Sequence, residues 1–221
     1  MSRFSQASLA PAAVALVAVL ALTGCAGDAW DSPHASPSLR GSLGAGFEPA
    51  SAPAPEATIT PVPGSWDSAR PSPGYRVVLL TSGDDAPTRA LVAAVRDWAD
   101  EEDVDLRTVQ AGGNLIDGIV DAIDLRPDLV VSAGNALVDP LATVTANHLD
   151  QRFLVVGAEL AEPTHNVTAV DWEGASFRGE GLGTSSAYDA ASFTVERCAA
   201  AVRAGVAAVL SDLTGIVVWI D

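Results

Sequence analysis

The chain has 221 residues, 48% of them hydrophobic, which is enough for one folded domain or two. Its formal charge is −16, from 28 acidic residues against 12 arginines and no lysine. That balance excludes nucleic-acid binding, which needs a basic face for phosphate, and electrostatic docking on an anionic membrane surface.

In chain order, Arg3 precedes the apolar run Ala12 to Leu22. The run falls short of the ~20 residues a membrane-spanning helix needs and has the length of a signal-peptide core. Leu22-Thr23-Gly24-Cys25 then resembles the bacterial lipobox, an apolar residue and two small ones before a cysteine. Residues 1–25 are therefore expected to be a lipoprotein signal peptide, with Cys25 lipidated. Two acyl chains there would hold the protein on the extracytoplasmic side of the cell membrane. Cys198 is left without a disulfide partner, and its place among alanines and valines marks a buried, inert thiol.

Residues 26–74 hold nine of the fourteen prolines, with Ala, Ser and Gly, and no helical or strand period persists. They read as a disordered tether in which Trp30 and Trp66 are incidental. From Tyr75 the pattern changes, and residues 75–221 read as one α/β lobe. Val77 to Leu80 is a continuous apolar run, a buried strand. Asp85 caps a helix with Leu91, Val92, Val95 and Trp98 on one face. Val104, Leu106 and Val109 alternate with polar residues, as a half-exposed strand does. A second helix carries Leu115, Ile116, Ile119, Val120 and Ile123. The strand Leu129 to Val131 follows, closed by Ser132-Ala133-Gly134. A third helix turns Leu137, Val138, Leu141, Val144 and Leu149 inward.

Two further strands, Phe153 to Val156 and Val167 to Val170, precede a polar, Gly-rich stretch from Glu173 to Tyr188. Thr194 caps a long helix running to about Leu213, and Ile216 to Ile220 is the last strand. This alternation predicts a doubly wound, mainly parallel sheet of five to six strands with helices on both faces. Strand order 2-1-3-4-5 puts the alternating strand at an edge; the last strand's place is left open.

Ligands of such sheets bind beyond the carboxyl ends of the strands. Asp84 and Asp85 lie there after the first strand, Asn135 after the third, Glu159 after the fourth and Trp172 after the fifth. Together with Thr81, Ser82, Gly83, Ser132, Gly134 and Glu173 they suit a small polar solute. The competing reading is that Gly83 and Gly134 make turns while Asp85 and Asn135 cap helices.

Enzymatic motifs fail. Asp84-Asp85 looks like the acidic pocket of phosphorylation receivers, but the acceptor aspartate after the third strand and the lysine are both missing. No G-x-G-x-x-G or P-loop occurs, and Gly179, Gly181 and Gly183 stand in a polar loop. Gly183-Thr184-Ser185-Ser186-Ala187 lacks the last glycine of a nucleophile elbow. His34, His148 and His165 have no triad or metal spacing. A Ca²⁺ or Mg²⁺ ion on Asp84, Asp85 and Glu159 is a minor alternative, and no cofactor is expected. Asn166-Val167-Thr168 matches a glycosylation sequon for which a bacterial lipoprotein gives no expected use.

The segment from Asp128 to Phe177 resembles the basic-membrane-protein type of substrate-binding lipoproteins of ABC importers. The resemblance rests on Asp128-Leu129-Val130-Val131-Ser132-Ala133-Gly134, Phe153-Leu154-Val155-Val156, Asn166-Val167-Thr168-Ala169-Val170 and Glu173-Gly174-Ala175-Ser176-Phe177. It covers roughly residues 75–180. It implies the first of two lobes that close on a ligand, often a nucleoside, with Asp84, Asn135 and Trp172 at corresponding loops. After Tyr188 the sequence supplies one helix and one strand, so a second lobe is not expected. The expected function is a non-enzymatic surface lipoprotein with a solute-binding-protein-like lobe, partnered by a small polar solute or an ABC permease. The alternative is an envelope protein-interaction or structural module.

Overall fold

In the computed structural model, residues 30, 32–160, 162–175 and 187–221 are described. Cys25 and the signal segment lie outside them, as do the alternating glycines 179, 181 and 183 and the segment 183–186 of the elbow-like motif. The chain divides into two compact units, Met1–Ser32 and Pro33–Asp221. Of the first, only Trp30, which is buried, and Ser32 are described. Everything below concerns the second.

Its centre is a seven-stranded, all-parallel sheet. The lobe strands are β4 (Arg76–Thr81), β5 (Asp105–Gln110), β6 (Leu129–Ala133), β7 (Phe153–Val156), β8 (Val167–Asp171) and β9 (Ile216–Trp219). Three two-residue strands precede them, β1 (Leu39–Arg40), β2 (Thr58–Ile59) and β3 (Arg70–Pro71). The order across the sheet is β2-β9-β8-β7-β6-β4-β5. The expected order 2-1-3-4-5 is therefore present, and the last lobe strand continues it beside β8. Strand β5, whose side chains are exposed or half-buried throughout, is an edge, whereas β4, β6, β7 and β8 are buried along their whole length. The alternation in β5 reports that difference in burial.

The helices are α1 (Ala86–Glu101), α2 (Leu115–Asp124), α3 (Val138–Thr145) and α4 (Val195–Leu210). Helices α1 and α4 pack together on one face, while α2 and α3 pack together on the other. Val77, Leu79, Leu129, Val131, Leu154, Val156, Val170 and Val218 meet Leu91, Val95, Trp98 and the α4 residues Cys198, Ala201, Val202 and Val206 in one core. Cys198 is buried, as expected, and burial pushes its thiol up to about 11. Gly205 lets α4 sit close to the sheet, since a Cβ there would fall 2.6 Å from Leu154 Cδ1.

Helix α4 lies on the α1 face although it steps from β8 to β9, the direction opposite to the β4–α1–β5 step. Those two crossovers are of opposite hand. The single-handed rule assumes that a twisted strand feeds its helix directly, whereas residues 172–194 intervene before α4. Leu149, expected inward on the third helix, is 47% exposed, because α3 ends at Thr145 before that turn is reached.

The tether reading is corrected from residue 33 onward. Strand β2 pairs in parallel with β9, matching Thr58 with Val217 and Ile59 with Val218. Strands β1 and β3 pair with each other. Phe47, Ile59 and Trp66 are buried in the main core, with the rings of Phe47 and Trp66 edge to face at 6.4 Å. Arg70 pairs with the buried carboxylate of Glu102, which also takes Arg203 Nη1 at 3.1 Å. Trp66 is thus a core residue, and the segment is held by scattered anchors rather than by periodic elements.

The central strands give a first expected result. Val78, Val130, Leu154 and Val218 are all fully buried. Val130→Ala and Val218→Ala should each lower unfolding free energy by about 1.5–3 kcal/mol in urea titration, from two lost methyl groups and the space they leave.

Candidate functional site

The sheet order reverses between β4 and β6, and their carboxyl ends open a narrow crevice there. It is lined by Asp85, Thr88, Ser132, Gly134, Asn135, Tyr188 and Phe193, among others, with only ≈ 30 Å³ open to a water-sized sphere. Gly134 takes φ 128°, and a Cβ there would meet Ser82 O at 2.4 Å, so this crossing of the two loops needs glycine.

Of the residues proposed from sequence, Asp85 and Asn135 meet in this crevice. Asp85 also caps α1, its carboxylate accepting from Thr88 N and from Thr88 Oγ1 at 2.9 Å each. The capping reading is therefore right for Asp85. Asn135 is not a cap: it is the first residue of a short 3-10 turn whose N-cap is Gly134, the helix that follows has Leu137 at its N-cap, and Asn135 lines the crevice. Tyr188, which sequence reasoning passed over, stands at the mouth, 55% exposed and tilted 6.1 Å from Phe193. Burial, then the charges of Asp85 and Asp189, push its phenol upward.

The other candidates are elsewhere. Asp84 lines a separate groove over β4 and β5 with Thr81, Arg89, Arg96, Thr108 and Gln110. Trp172, proposed as an exposed recognition anchor, is fully buried. Its Nε1 donates to Ser192 Oγ at 3.0 Å and its ring meets Phe193 edge to face at 4.9 Å. It is a packing residue, because its indole N–H is satisfied internally and it has no free face.

Glu159 faces Asp171, at the end of β8, and both are 1% exposed. Glu159 Oε1 and Oε2 and Asp171 Oδ1 have no hydrogen-bond partner of ordinary geometry among the described residues. Desolvation, then repulsion from Asp171, pushes Glu159 up to about 8. Desolvation also raises Asp171, while the Trp172 backbone N–H and Glu159 oppose the rise. The cation set Asp84, Asp85 and Glu159 is not brought together, since three different surroundings hold them. No group of three or more His, Cys, Asp or Glu suited to a metal occurs among the described residues. Among them, too, no helix is long and apolar enough to cross a membrane.

The sequence matches no family model, and no curated protein matches it. Solved structures share part of the arrangement. A solute-binding protein of an ABC transporter system from Aeropyrum pernix K1 is similar at 20% identity and TM-score 0.38, over 45% of this chain and 29% of that one. A fragment from Peptoclostridium difficile 630 described as a lipoprotein is 16% identical with TM-score 0.41, over 63% and 99%. A transcriptional activator of the comK gene from Bacillus halodurans is 22% identical with TM-score 0.37, over 44% and 35%. The chain thus spans about a third of the Aeropyrum and Bacillus proteins it resembles. Overlaps of this extent do not assign a function.

Proposed function

We propose that this protein is a membrane-anchored lipoprotein whose lobe binds a small polar solute without transforming it. The observation that carries the reading is the crevice at the reversal of strand order, where Asp85, Ser132 and Asn135 from two strand ends converge. The crevice is narrow, so solute entry requires Tyr188 at its mouth to swing aside. The finer form of the proposal follows the resemblance to basic-membrane-protein type binding proteins: a nucleoside-type ligand and an ABC permease as partner. A thermal-shift screen of nucleosides, sugars and amino acids tests it. At least one class should raise the melting temperature of the wild type and leave Asn135→Ala unmoved. No shift with any of them sinks the proposal.

The anchoring part rests on Leu22-Thr23-Gly24-Cys25. Cys25→Ser is expected to move the protein from the detergent phase to the aqueous phase, or to leave the signal uncleaved. Identical partitioning of the two forms contradicts it.

One feature favours the interaction-module reading. Between α1 and α4 a groove is lined by Ala90, Ala93, Ala94, Trp98, Val195 and Ala199, with Asp97, Glu101 and Arg203 also lining it, and Val195 is 73% exposed. Co-purification of one defined envelope protein that is lost in Val195→Asp, together with an empty ligand screen, would put this reading ahead.

A further inference from the structure

The groove over the carboxyl ends of β4 and β5 is built from a floor and a wall. On the floor stand Thr81, Thr108 and Gln110. Registry pairs Leu79 with Thr108 and Thr81 with Gln110, and alternate residues share a face, so all three are on the α1 side of the sheet, with Thr108 and Gln110 exposed. The wall is α1, where Arg89 and Arg96 are seven residues apart and share one stripe. The open space between them amounts to about 370 Å³, room for a small organic molecule to lie with one side to solvent.

Three observations point to what it holds. Thr81 is 5% exposed and lines the groove, and its Oγ1, shut off from solvent in this rotamer, has no hydrogen-bond partner among the described residues. A buried hydroxyl in that state is costly until something in the groove bonds to it. Arg89 stands in the first turn of α1, where the positive end of the helix dipole disfavours a cation. It is tied there by donating Nη1 to the Asp84 carbonyl, which fixes the guanidinium beside the groove. Arg96 makes no hydrogen bond or ion pair among the described residues, in a chain where acidic residues outnumber arginines 28 to 12. Two guanidinium groups against the single carboxylate of Asp84 make this lining net positive within a protein of charge −16.

We infer that this groove is a second ligand site, which takes the carboxylate group of a small solute. Arg96 makes the main charge contact, in the two-pronged geometry that guanidinium and carboxylate share. Arg89 supplies a second cation and Thr81 donates its hydroxyl. Thr108 and Gln110 are adaptable polar contacts along the floor. The Asp84 carboxylate at the rim selects against multiply charged anions and for solutes that also carry an amine. The site shares only the general notion of solute binding with the crevice function. Thr88 lines both spaces, but Thr81, Arg89 and Arg96 line the groove and not the crevice, so either can fail alone.

Calorimetric titration of the full chain in detergent with L-alanine, succinate and inorganic phosphate tests the inference. L-Alanine should bind, succinate more weakly, and phosphate least. Arg96→Gln should weaken L-alanine about tenfold, since a charged hydrogen-bond pair is lost. Thr81→Val, which keeps the shape of the side chain, should weaken it several-fold. Without ligand, Arg96→Gln should melt with the wild type and Thr81→Val somewhat above it, since the unpartnered buried hydroxyl is gone. Binding of none of the three probes, or binding unaffected by Arg96→Gln and Thr81→Val, overturns the site. Phosphate binding more tightly than L-alanine overturns the assignment to carboxylates.

Discussion

A form of the protein starting at Gly74 is expected not to fold cooperatively. The deleted segment buries Phe47, Ile59 and Trp66 in the main core, and each such side chain is worth ~1.5–3 kcal/mol of burial. Their sum, roughly 4.5–9 kcal/mol, is comparable with the whole stability of an ordinary domain. Deletion also strips β2 from β9 and leaves the backbone of Val217 and Val218 as an open, apolar edge, which invites pairing between molecules. Arg70 would be lost from Glu102, leaving that buried carboxylate to Arg203 alone. Urea unfolding and light scattering of the full and shortened chains check this. A shortened chain that is monomeric and melts sharply near the full-length temperature would show that residues 33–74 are an ornament. A milder variant separates anchor from strand. Trp66→Ala alone should cost about 3–5 kcal/mol with no loss of β2 pairing.

That segment also shows where the sequence was legible and where it was not. From Tyr75 onward, strands and helices announced themselves, because each buries a face at a fixed period. Val77–Leu80, Leu129–Val131 and Phe153–Val156 are central strands, and Asp85 and Thr194 cap helices as read. The edge position of β5 followed from its alternation alone. Residues 33–74 have no period. Phe47, Ile59 and Trp66 reach the core singly, from turns and a two-residue strand, so composition pointed to disorder while three isolated side chains supplied order.

The candidate site was half legible for a related reason. Sequence order places a residue after a strand, but the local path of the loop decides which way it faces. Asp84 and Asp85 are adjacent and yet line different spaces, while Trp172 turns back against Phe193. Arg89 and Arg96 carried a usable signal, one stripe of α1, that attention to acidic and hydroxyl residues overlooked. Asp171 follows directly on the strand read as Val167 to Val170 and closes β8 in the structure, one residue past the apolar run.

The Glu159–Asp171 pair should make the protein less stable as pH rises from about 4 to about 8. Below that window both carboxyls carry protons in the folded and the unfolded chain, and burying them costs little. As pH rises, the unfolded chain releases both protons in the ordinary carboxylate range. The folded chain holds the proton on Glu159 up to about 8, through desolvation and the neighbouring Asp171 charge. The folded state then binds more protons than the unfolded one, so increasing pH favours unfolding throughout the window and has no further effect above it. Three or more pH units would correspond to over 4 kcal/mol, at about 1.4 kcal/mol per unit. Relaxation and entry of water around the ionised pair reduce the expected loss to about 2–3 kcal/mol. Glu159→Gln removes the charge, keeps the shape, and offers Asp171 an N–H donor. The variant should match the wild type at pH 4 and exceed its unfolding free energy by that amount at pH 8, with Asp171→Asn showing a gain of the same sign. The other acidic residues titrate alike in all three proteins, so the difference between variant and wild type isolates the pair. Urea titrations at four or five pH values give that difference directly. Parallel curves for wild type and Glu159→Gln would mean that the two carboxylates are solvated and charged at neutral pH, and that Glu159 belongs to an open surface.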